Sequence, residues 1–217
     1  MCFILLLGVS FPSLSKCLLN LAAPSDISVL ETEIKRLKRA YRQIECEIII
    51  HPMPAKRAIR QDSLDDHIDG EVARFEGFSD IVPSFIKVSP AITLMNVYAY
   101  SKHPEHAPIS WQTLHNYRIA TVRGYVAIEQ HLKNHTSNTT LTHAAQVIQL
   151  LEKDRVELIV LPEPLALFTD KNIQQVSSPL LSEPLYHFLH QRNQHLIAPL
   201  SEALQAEFAH EQGLSIK

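Results

Sequence analysis

The chain has 217 residues, of which 46% are hydrophobic and 20% are charged, and its formal net charge at pH 7 is −3. This composition is that of a folded globular protein rather than a disordered one, and the length allows one large domain or two small lobes. The weak negative charge excludes a broad basic surface for nucleic acid or anionic lipid.

The N-terminus begins with an apolar block, Met1–Phe11, and the first charged residue is Lys16. Small residues at Ser13 and Ser15 suit signal-peptide cleavage, so we predict a signal peptide over residues 1–15 and secretion to the periplasm. The block is too short for a transmembrane helix. No Lys or Arg precedes it, which leaves two alternatives: a signal that starts further upstream, or a buried first strand of a cytoplasmic protein.

A short apolar strand over Leu18–Ala23 and a helix over Ile27–Ile44 are the first elements predicted after this segment. The helix prediction rests on apolar residues that recur at helical spacing between Val29 and Tyr41. The opposite face of the helix is basic, and we interpret it as a solvated face rather than a binding patch. Its five basic residues are Lys35, Arg36, Lys38, Arg39 and Arg42.

A β-branched run bounded by prolines, Cys46–His51, predicts a second strand that is covered on both faces, as in a parallel sheet. Pro52 and Pro54 then open a short helix, because proline is tolerated in the first helical turn. A third strand is entered through Ile68–Gly70, where we expect Gly70 to adopt backbone angles closed to other residues. Such a strand–helix–strand unit creates a ligand crevice at the carboxyl ends of its strands.

The second half of the chain continues the alternation of strands and helices. Ile92–Tyr100 is a β-rich run that leaves the first half, and residues 103–108 form a proline-containing linker suited to a boundary between lobes. The remaining predictions, in chain order, are a short helix over 111–117, a buried strand over 118–122, a helix over 126–134, a polar loop over 137–142, a helix over 144–152, strands over 156–161 and 185–190, and a helix over 199–210.

Several segments resemble the family 3 extracellular solute-binding proteins, which are two-lobed periplasmic receptors. Pro54–Ala58 (PAKRA) and Ile68–Glu71 (IDGE) look like parts of the first lobe. Arg118–Tyr125 (RIATVRGY) is similar to the strand and glycine turn that open the second lobe, and Leu150–Leu161 resembles the next helix end and strand. The resemblance implies an α/β, two-lobed periplasmic-binding-protein-like (type 2) fold, in which each lobe is a mostly parallel sheet flanked by helices.

The resemblance also implies a domain organisation and a role. Residues 16–99 and 191–217 would form lobe 1, and residues 100–190 would form lobe 2. The implied function is the capture of a small polar or anionic, amino-acid-like solute between the lobes for an ABC-type transporter. The partners would be that solute and a membrane permease or sensor. We expect a monomer that uses no cofactor, metal ion or nucleic acid.

Two other functions on the same fold stay open. One is a sensing or partner-binding domain without a transport role. The other is a dehydratase-like enzyme that uses a cleft carboxylate as an acid, for which Glu71 and Glu163 are the candidates. The sequence has no nucleophile elbow or phosphate loop, and no carboxylate pair is distinguished by its spacing. We therefore predict that the protein is not an enzyme.

In the second lobe, the predicted ligand-binding residues form a turn between a strand and a helix: Arg123, Gly124 and Tyr125. Unpaired N–H groups and the helix dipole make such a turn a natural anion site, and Arg123 adds a positive charge. In the resembling family this turn contacts the carboxylate-bearing end of the ligand. The alternative is an ordinary turn in which Gly124 serves the backbone alone.

Glu71, Arg74, Tyr98 and Glu163 complete the predicted ligand site. Arg74 can form two parallel hydrogen bonds to a carboxylate, or it can pair internally with Glu71 or Glu76. Glu163 lies between two prolines after a second-lobe strand, where it would receive an ammonium group or remain a solvated carboxylate. Tyr98 would cover a ligand at the junction of the lobes, or it would belong to the core.

The chain departs from the amino-acid receptors of the family at two places. Those receptors usually carry an arginine after the third strand, where this chain has Ile81 and Val82. They carry an aspartate after the second-lobe strand, where this chain has Pro162 and Glu163. The clamp for an α-carboxylate and an α-ammonium group is therefore not supported. Either the solute is not a standard amino acid, or the binding function has been lost.

Cys17 and Cys46 begin two neighbouring predicted strands, so a disulfide and a pair of buried thiols are both consistent with the sequence. A metal site needs three or four convergent ligands with an ordered surround. Nothing in the sequence brings the candidate groups together, and we predict no metal site. These candidates are His131 with His135, and the cluster of Asp65, Asp66, His67 and Asp69.

Overall fold

The computed structural model describes residues 17–24, 30–53, 67–163 and 168–214. The predicted signal peptide, the PAKRA motif and the helix predicted to follow Pro54 lie outside these ranges. Within them, the secondary structure is, in chain order, β1 (Cys17–Pro24), α1 (Glu31–Gln43), β2 (Cys46–Met53), β3 (Gly70–Phe75), α2 (Phe78–Ile81), β4 (Phe85–Ser101), β5 (Ile119–Val122), α3 (Val126–His131), β6 (Asn138–Leu141), α4 (Ala144–Glu152), β7 (Leu158–Pro162), β8 (Gln174–Gln175), β9 (Leu181–His190) and α5 (Ile197–Leu214). Short 3₁₀ turns cover Pro104–His106, Leu114–Asn116 and Gln191–Leu196.

In the part of the chain that the structure describes, one mixed sheet of nine strands connects the two halves, in the order β2-β1-β3-β9-β4-β7-β5-β6, with β8 paired to β4. In the first half β1, β2 and β3 are parallel, and in the second half β5, β6 and β7 are parallel. Among the described strands, β4 and β9 alone extend across both halves, and they pair with each other antiparallel. The sheet is thus two parallel parts joined by a two-stranded ribbon.

Each half has its own hydrophobic cores, one on either face of its part of the sheet. In the first half, α1 and α5 cover a core around Leu21, Leu37 and Leu204, and Phe78 of α2 joins a smaller core on the other face. In the second half, α4 covers a core that includes Ile159, and α3 contributes to a separate one. The predicted α/β layering is therefore present in both halves.

β2 is an edge strand and not the doubly covered strand that the sequence predicted. Its residues alternate between buried or half-buried and exposed, and Ile49 is 44% exposed. It also continues through Pro52 to Met53 instead of giving way to a helix at Pro52. Proline is compatible with this position because an edge strand leaves one row of backbone groups unpaired.

A disulfide joins Cys17 to Cys46, which face each other in the register of β1 and β2. Of the two possibilities left open by the sequence, the pair of free thiols is therefore wrong. The bond fixes the edge strand to its neighbour at the start of both strands.

Gly70 is required for a reason that the sequence did not indicate. A Cβ atom at this position would lie 2.6 Å from the carbonyl oxygen of Phe188 and 2.8 Å from the Leu21 side chain. The residue is thus constrained by the close approach of β9 and β1. Gly124 is the described glycine with a positive φ, at 99°.

The basic face of α1 is only partly solvated, because Arg36 is buried between α1 and α5. Its guanidinium donates to Glu211 at 2.6 Å and to the Ile92 carbonyl at 2.7 Å. Arg39 bonds both Glu207 and Glu211 at 2.5 Å. These charges therefore bind the C-terminal helix to the first half, and interpreting the whole face as solvated was wrong for Arg36.

The predicted polar loop over residues 137–142 contains β6, whose four residues pair in parallel with β5. Two threonines favour this assignment, because β-branched residues fit a half-buried strand.

Among the described residues, no helix combines the length and the apolar character that a membrane span requires.

Candidate functional site

The carboxyl ends of β3 and β7 approach the connecting ribbon from opposite directions. Phe75, the last residue of β3, pairs with Leu185 of β9. Pro162, the last residue of β7, pairs with Val97 of β4, and Val97 in turn pairs with Leu181 of β9. The two ends are thus separated by four residues along β9, or about 13 Å at the rise of an extended strand.

Along the ribbon the two strand ends are thus about one small-molecule length apart, and we call the space between them the gap. The part of the ribbon that spans it includes Leu94, which is 56% exposed although it is apolar. It also includes Asn96, whose side-chain oxygen accepts a hydrogen bond from Ser182 of β9 at 2.7 Å. In open α/β sheets, ligands bind outside the carboxyl ends of the strands. The gap is therefore the candidate site.

The structure brings the second-lobe candidates to one edge of the gap. Arg123 and Gly124 follow β5, and Glu163 follows β7, whose direction is the same. Tyr98 of β4 pairs with Leu161 near the end of β7. Tyr98 and Tyr125 pack against the same core, with partial exposure, so they belong both to that core and to its rim.

The glycine turn of the second half already holds a carboxylate. The backbone N–H of Gly124 donates to the Oε1 atom of Glu129 at 2.8 Å. Glu129 lies in the first turn of α3, where acidic side chains are favoured by the helix dipole. The backbone N–H of Arg123 donates to the Leu141 carbonyl at 2.7 Å, and its exposed guanidinium donates to the Thr140 carbonyl at 3.4 Å.

Sequence reasoning missed Glu129. The signal that could have found it is its position: a glutamate in the first turn after a strand–glycine–helix junction can reach back to the N–H groups of that turn. At least one of the N–H groups that the sequence predicted to be unpaired at this turn, that of Gly124, therefore has a partner.

In the first half, Arg74 and Glu71 pair with each other on β3. The Arg74 Nε atom donates to Glu71 Oε2 at 3.0 Å, and Nη2 lies 3.0 Å from the same oxygen. Glu71 is fully buried and Arg74 is 8% exposed. Of the two internal partners considered, Glu71 is the observed one, because Glu76 forms an ion pair with Lys87.

The Glu71–Arg74 pair is incompletely satisfied. Within the described ranges, Glu71 Oε1 and Arg74 Nη2 have no hydrogen-bond partner, since the Nη2 contact is ionic without suitable angles. Burial raises the pKa of Glu71, and the charge and hydrogen bond of Arg74 act in the opposite direction. The guanidinium also lies 5.5 Å from the centre of the Phe78 ring. Arg74 is thus held at the cleft end of β3 by a buried carboxylate.

A second buried polar group next to this pair was not predicted. His187 of β9 is completely buried, and its Nε2 atom lies 2.7 Å from the hydroxyl of Tyr41. Its Nδ1 atom lies 2.7 Å from the backbone carbonyl of Glu71, which can only accept, so Nδ1 carries the proton and Nε2 accepts from Tyr41. Burial lowers the pKa of His187 to about 4, and the ring is neutral. The chain of bonds links α1, β9 and β3.

The first-lobe and second-lobe candidates lie on different elements. Glu71 and Arg74 lie on β3, whereas the others lie at the ends of β5 and β7 or on β4. Asp69, at the opposite end of β3, accepts bonds from the Asn20 N–H, Arg192 and Asn193. Its role is structural.

His131, at the end of α3, and His135, beyond it, contact other partners. His131 stacks on Trp111, with ring centres 4.2 Å apart. His135 bonds the Leu114 carbonyl at 2.9 Å. Across the described portion of the chain, no group of three or more His, Cys, Asp or Glu side chains is arranged to hold a metal ion. Asp65 and Asp66 lie outside the described residues.

No protein-family model matches the sequence, and the search of curated proteins finds no match. Solved structures do match over nearly the whole chain. Holo ArgBP from T. maritima superposes with a TM-score of 0.71 at 15% identity, over 88% of this chain and 91% of that one. AbpA, an amino acid ABC transporter substrate-binding protein from Streptococcus pneumoniae bound to L-arginine, has a TM-score of 0.72 at 14% identity, over 92% and 91%.

A third similar structure has a different role. It is a histidine kinase sensor domain with similarity to periplasmic binding proteins, with a TM-score of 0.69 at 12% identity, over 91% of this chain and 93% of that one. At these identities the comparisons establish the fold and nothing finer. The chain has the two-lobed, periplasmic-binding-protein-like α/β fold, and the resemblance to the family 3 solute-binding proteins is confirmed at that level.

Proposed function

We propose that this protein binds a small polar solute in the gap between two lobes. The observation that carries the proposal is the convergence of the ends of β3 and β7 on a ribbon segment only about 13 Å long. A solute of that size would contact both halves at once. We keep the predicted lobes with one change: because Leu185–His190 pairs with β3, this segment belongs with lobe 1.

The proposed ligand contacts are those that line the gap from the second half. Tyr98 and Tyr125 would supply an aromatic wall, and Arg123, Gly124 and Glu163 would supply polar groups at its edge. Glu71 is too deeply buried to touch a solute directly. We propose that it acts through Arg74, which it holds at the end of β3.

Binding would work by hinge closure around β4 and β9. A solute that contacts both lobes binds the closed state more tightly than the open state, and it shifts the population toward closure by that difference in affinity. A membrane partner would then recognise the closed state. The similar structures named above include an ABC transporter substrate-binding protein, so we propose a permease of that class as the partner.

The Cys17–Cys46 disulfide supports a periplasmic location, since such bonds persist in oxidising compartments and are rare in the cytosol. Cys17 lies just after the predicted signal peptide over residues 1–15, so the bond would be retained when that peptide is removed on export. Fractionation of a tagged copy checks this part of the proposal. Retention of the full-length chain in the cytoplasm would contradict it.

A sensing role is the second candidate, and the similarity to a histidine kinase sensor domain favours it. Both roles need the same solute site, so they differ only in the partner. Affinity purification from membranes after crosslinking, with and without the solute, separates them. Recovery of a permease supports transport, and recovery of a kinase supports sensing.

A thermal-shift screen of polar metabolites with the oxidised protein tests the site itself. A ligand at 100 times its Kd stabilises the native state by about 2.7 kcal/mol, which in a chain of this size raises Tm by roughly 5–11 °C. We expect at least one such ligand, recovered chemically unchanged after incubation. A screen without any stabilising compound would contradict solute binding, and conversion of the ligand would instead indicate an enzyme.

A further inference from the structure

We infer that the gap selects organic cations without a carboxylate group, such as primary amines and guanidines, and that Glu129 is the residue that excludes carboxylates. The inference rests on the proposed function and names the class of its solute. It starts from two groups among the described residues at the gap that are suited to an anion, the glycine turn and Arg74. Both already hold a carboxylate of the protein itself.

The first of these groups is the glycine turn after β5. Its Gly124 N–H is bonded to Glu129 Oε1 at 2.8 Å. A solute carboxylate aimed at this N–H would have to displace Glu129 and then share the turn with it. Two ionised carboxylates that share one turn lie close enough to repel each other strongly. The Glu129 carboxylate therefore disfavours a solute carboxylate at this turn.

The second group is the guanidinium of Arg74. It is bonded to Glu71 at 3.0 Å, and both side chains are buried. Arg74 Nη2 has no hydrogen-bond partner among the described residues, but a solute carboxylate there would share the single guanidinium charge with the buried Glu71 and weaken that pair. The two anion-receptive groups lie in different halves and are occupied independently. The same arrangement thus occurs on both sides of the gap.

The remaining charges at the second-half edge favour a cation. Arg123 is exposed and donates a long bond to the Thr140 carbonyl at 3.4 Å, so water screens its charge. Among the described residues at this edge, two carboxylates, Glu129 and Glu163, stand against the one positive charge of Arg123. The faces of Tyr98 and Tyr125 add a surface that attracts organic cations.

The ribbon between the lobes offers no charge to a solute carboxylate on the face that Leu94 shares with Tyr98. Leu94, Asn96 and Tyr98 alternate along β4 and so point to one face of the strand. Leu94 is 56% exposed there, and Asn96 is bonded to Ser182. A solute with a short apolar body and a cationic end matches this surface.

The test compares each amino acid with the amine that differs from it only by loss of the α-carboxylate. The pairs are arginine and agmatine, lysine and cadaverine, ornithine and putrescine, and histidine and histamine. Calorimetric titration of the oxidised chain should give at least one amine that binds tenfold or more tightly than its parent. If the parent binds as well or better, or if no amine binds, the inference is wrong.

A Glu129→Gln variant tests the named residue. The amide oxygen can still accept from the Gly124 N–H, but the negative charge is gone. We expect the ratio of the Kd for the amino acid to the Kd for its amine to fall about tenfold in this variant. The matched control is Glu202→Gln, which removes an exposed carboxylate from α5 in the other half and should leave the preference unchanged. If both variants show the same preference for the amine, Glu129 is not the residue that excludes carboxylates.

Failure of the inference and failure of the proposed function give different results. If the thermal-shift screen finds a neutral or carboxylate-bearing solute, the proposal of binding between the lobes is supported and the proposal of cation selectivity is wrong. If the screen finds no solute of any class, both proposals are wrong.

Discussion

The two halves of the molecule share a layered architecture but are held together differently. The first half contains the disulfide, the buried Glu71–Arg74 pair, the His187–Tyr41 bond and the ion pairs between α1 and α5. The second half relies mainly on two apolar cores, and its charged candidates lie on the surface. Polar groups in the first half therefore stabilise its structure, whereas we propose that those at the second-half edge determine which solute binds.

This difference predicts where a charge change is costly. Replacement of a charge in the first half should be measured mainly as a loss of folding stability. Replacement of a charge at the second-half edge should be measured mainly as a change in ligand preference. The following experiments compare the halves on that basis.

The largest effect is expected for Arg74→Ala. The substitution leaves the fully buried Glu71 without its partner, and loss of one member of a buried pair costs about 3–5 kcal/mol. Urea unfolding of the oxidised protein measures this loss. A double variant, Glu71→Met with Arg74→Met, removes both charges and should recover most of the stability. A loss below about 0.5 kcal/mol in Arg74→Ala would mean that the pair is effectively solvated.

The disulfide should contribute slightly less. It closes a segment with a sequence separation of 29, for which the chain-entropy model gives about 3–4 kcal/mol. We expect reduction of the wild-type protein to lower its urea midpoint, and a Cys17→Ala, Cys46→Ala variant to be insensitive to reductant. If reduced and oxidised wild-type proteins unfold at the same urea concentration, the bond does not stabilise the first half.

His187 should make stability depend on pH. Its folded pKa of about 4 lies below its unfolded value of 6.5, so between these values the unfolded state binds more protons and stability falls as the pH falls. The loss from this residue is about 3 kcal/mol at 1.36 kcal/mol per pKa unit. The raised pKa of Glu71 acts in the opposite sense, so the comparison needs a variant.

His187→Gln serves as that variant, because it lacks a titrating ring while the Glu71–Arg74 pair is retained. Unfolding free energies measured between pH 4 and 6.5 should change less in the variant than in the wild-type protein. Parallel curves for the two proteins would show that His187 is not neutral and buried as described.

The smallest effect on stability is expected at the second-half edge. Arg123→Gln and Glu163→Gln alter exposed side chains, so each should change the unfolding free energy by less than about 0.5 kcal/mol. Each should nevertheless change the Kd for the solute identified by the screen. If either variant lost stability on the scale of Arg74→Ala, the contrast between the halves would disappear.

The sequence predicted the strands and helices well where their hydrophobic pattern was strong. The alternation around β5, α4 and β7 was visible because buried strands and amphipathic helices have different periods. β6 was mistaken for a loop, since a four-residue edge strand with polar side chains carries little apolar signal.

The buried polar contacts of the first half were harder to predict because they join distant segments. Arg36 and Glu211 are 175 residues apart, and nothing local marks Arg36 as buried. Gly70 was noticed, but its reason, the approach of Phe188, depends on the position of β9. His187 was not noticed, since a histidine in a β-rich run has no distinctive pattern before its partners are known.

The central claim is that a solute draws the two halves together across the ribbon. It is tested most directly by the distance between spin labels at two exposed positions that flank the gap, Asp80→Cys after β3 and Gln146→Cys after β6, with the native disulfide kept intact. Pulsed electron paramagnetic resonance should give a shorter mean distance and a narrower distribution when the solute is saturating. An unchanged distribution with the solute fully bound would contradict capture between the lobes.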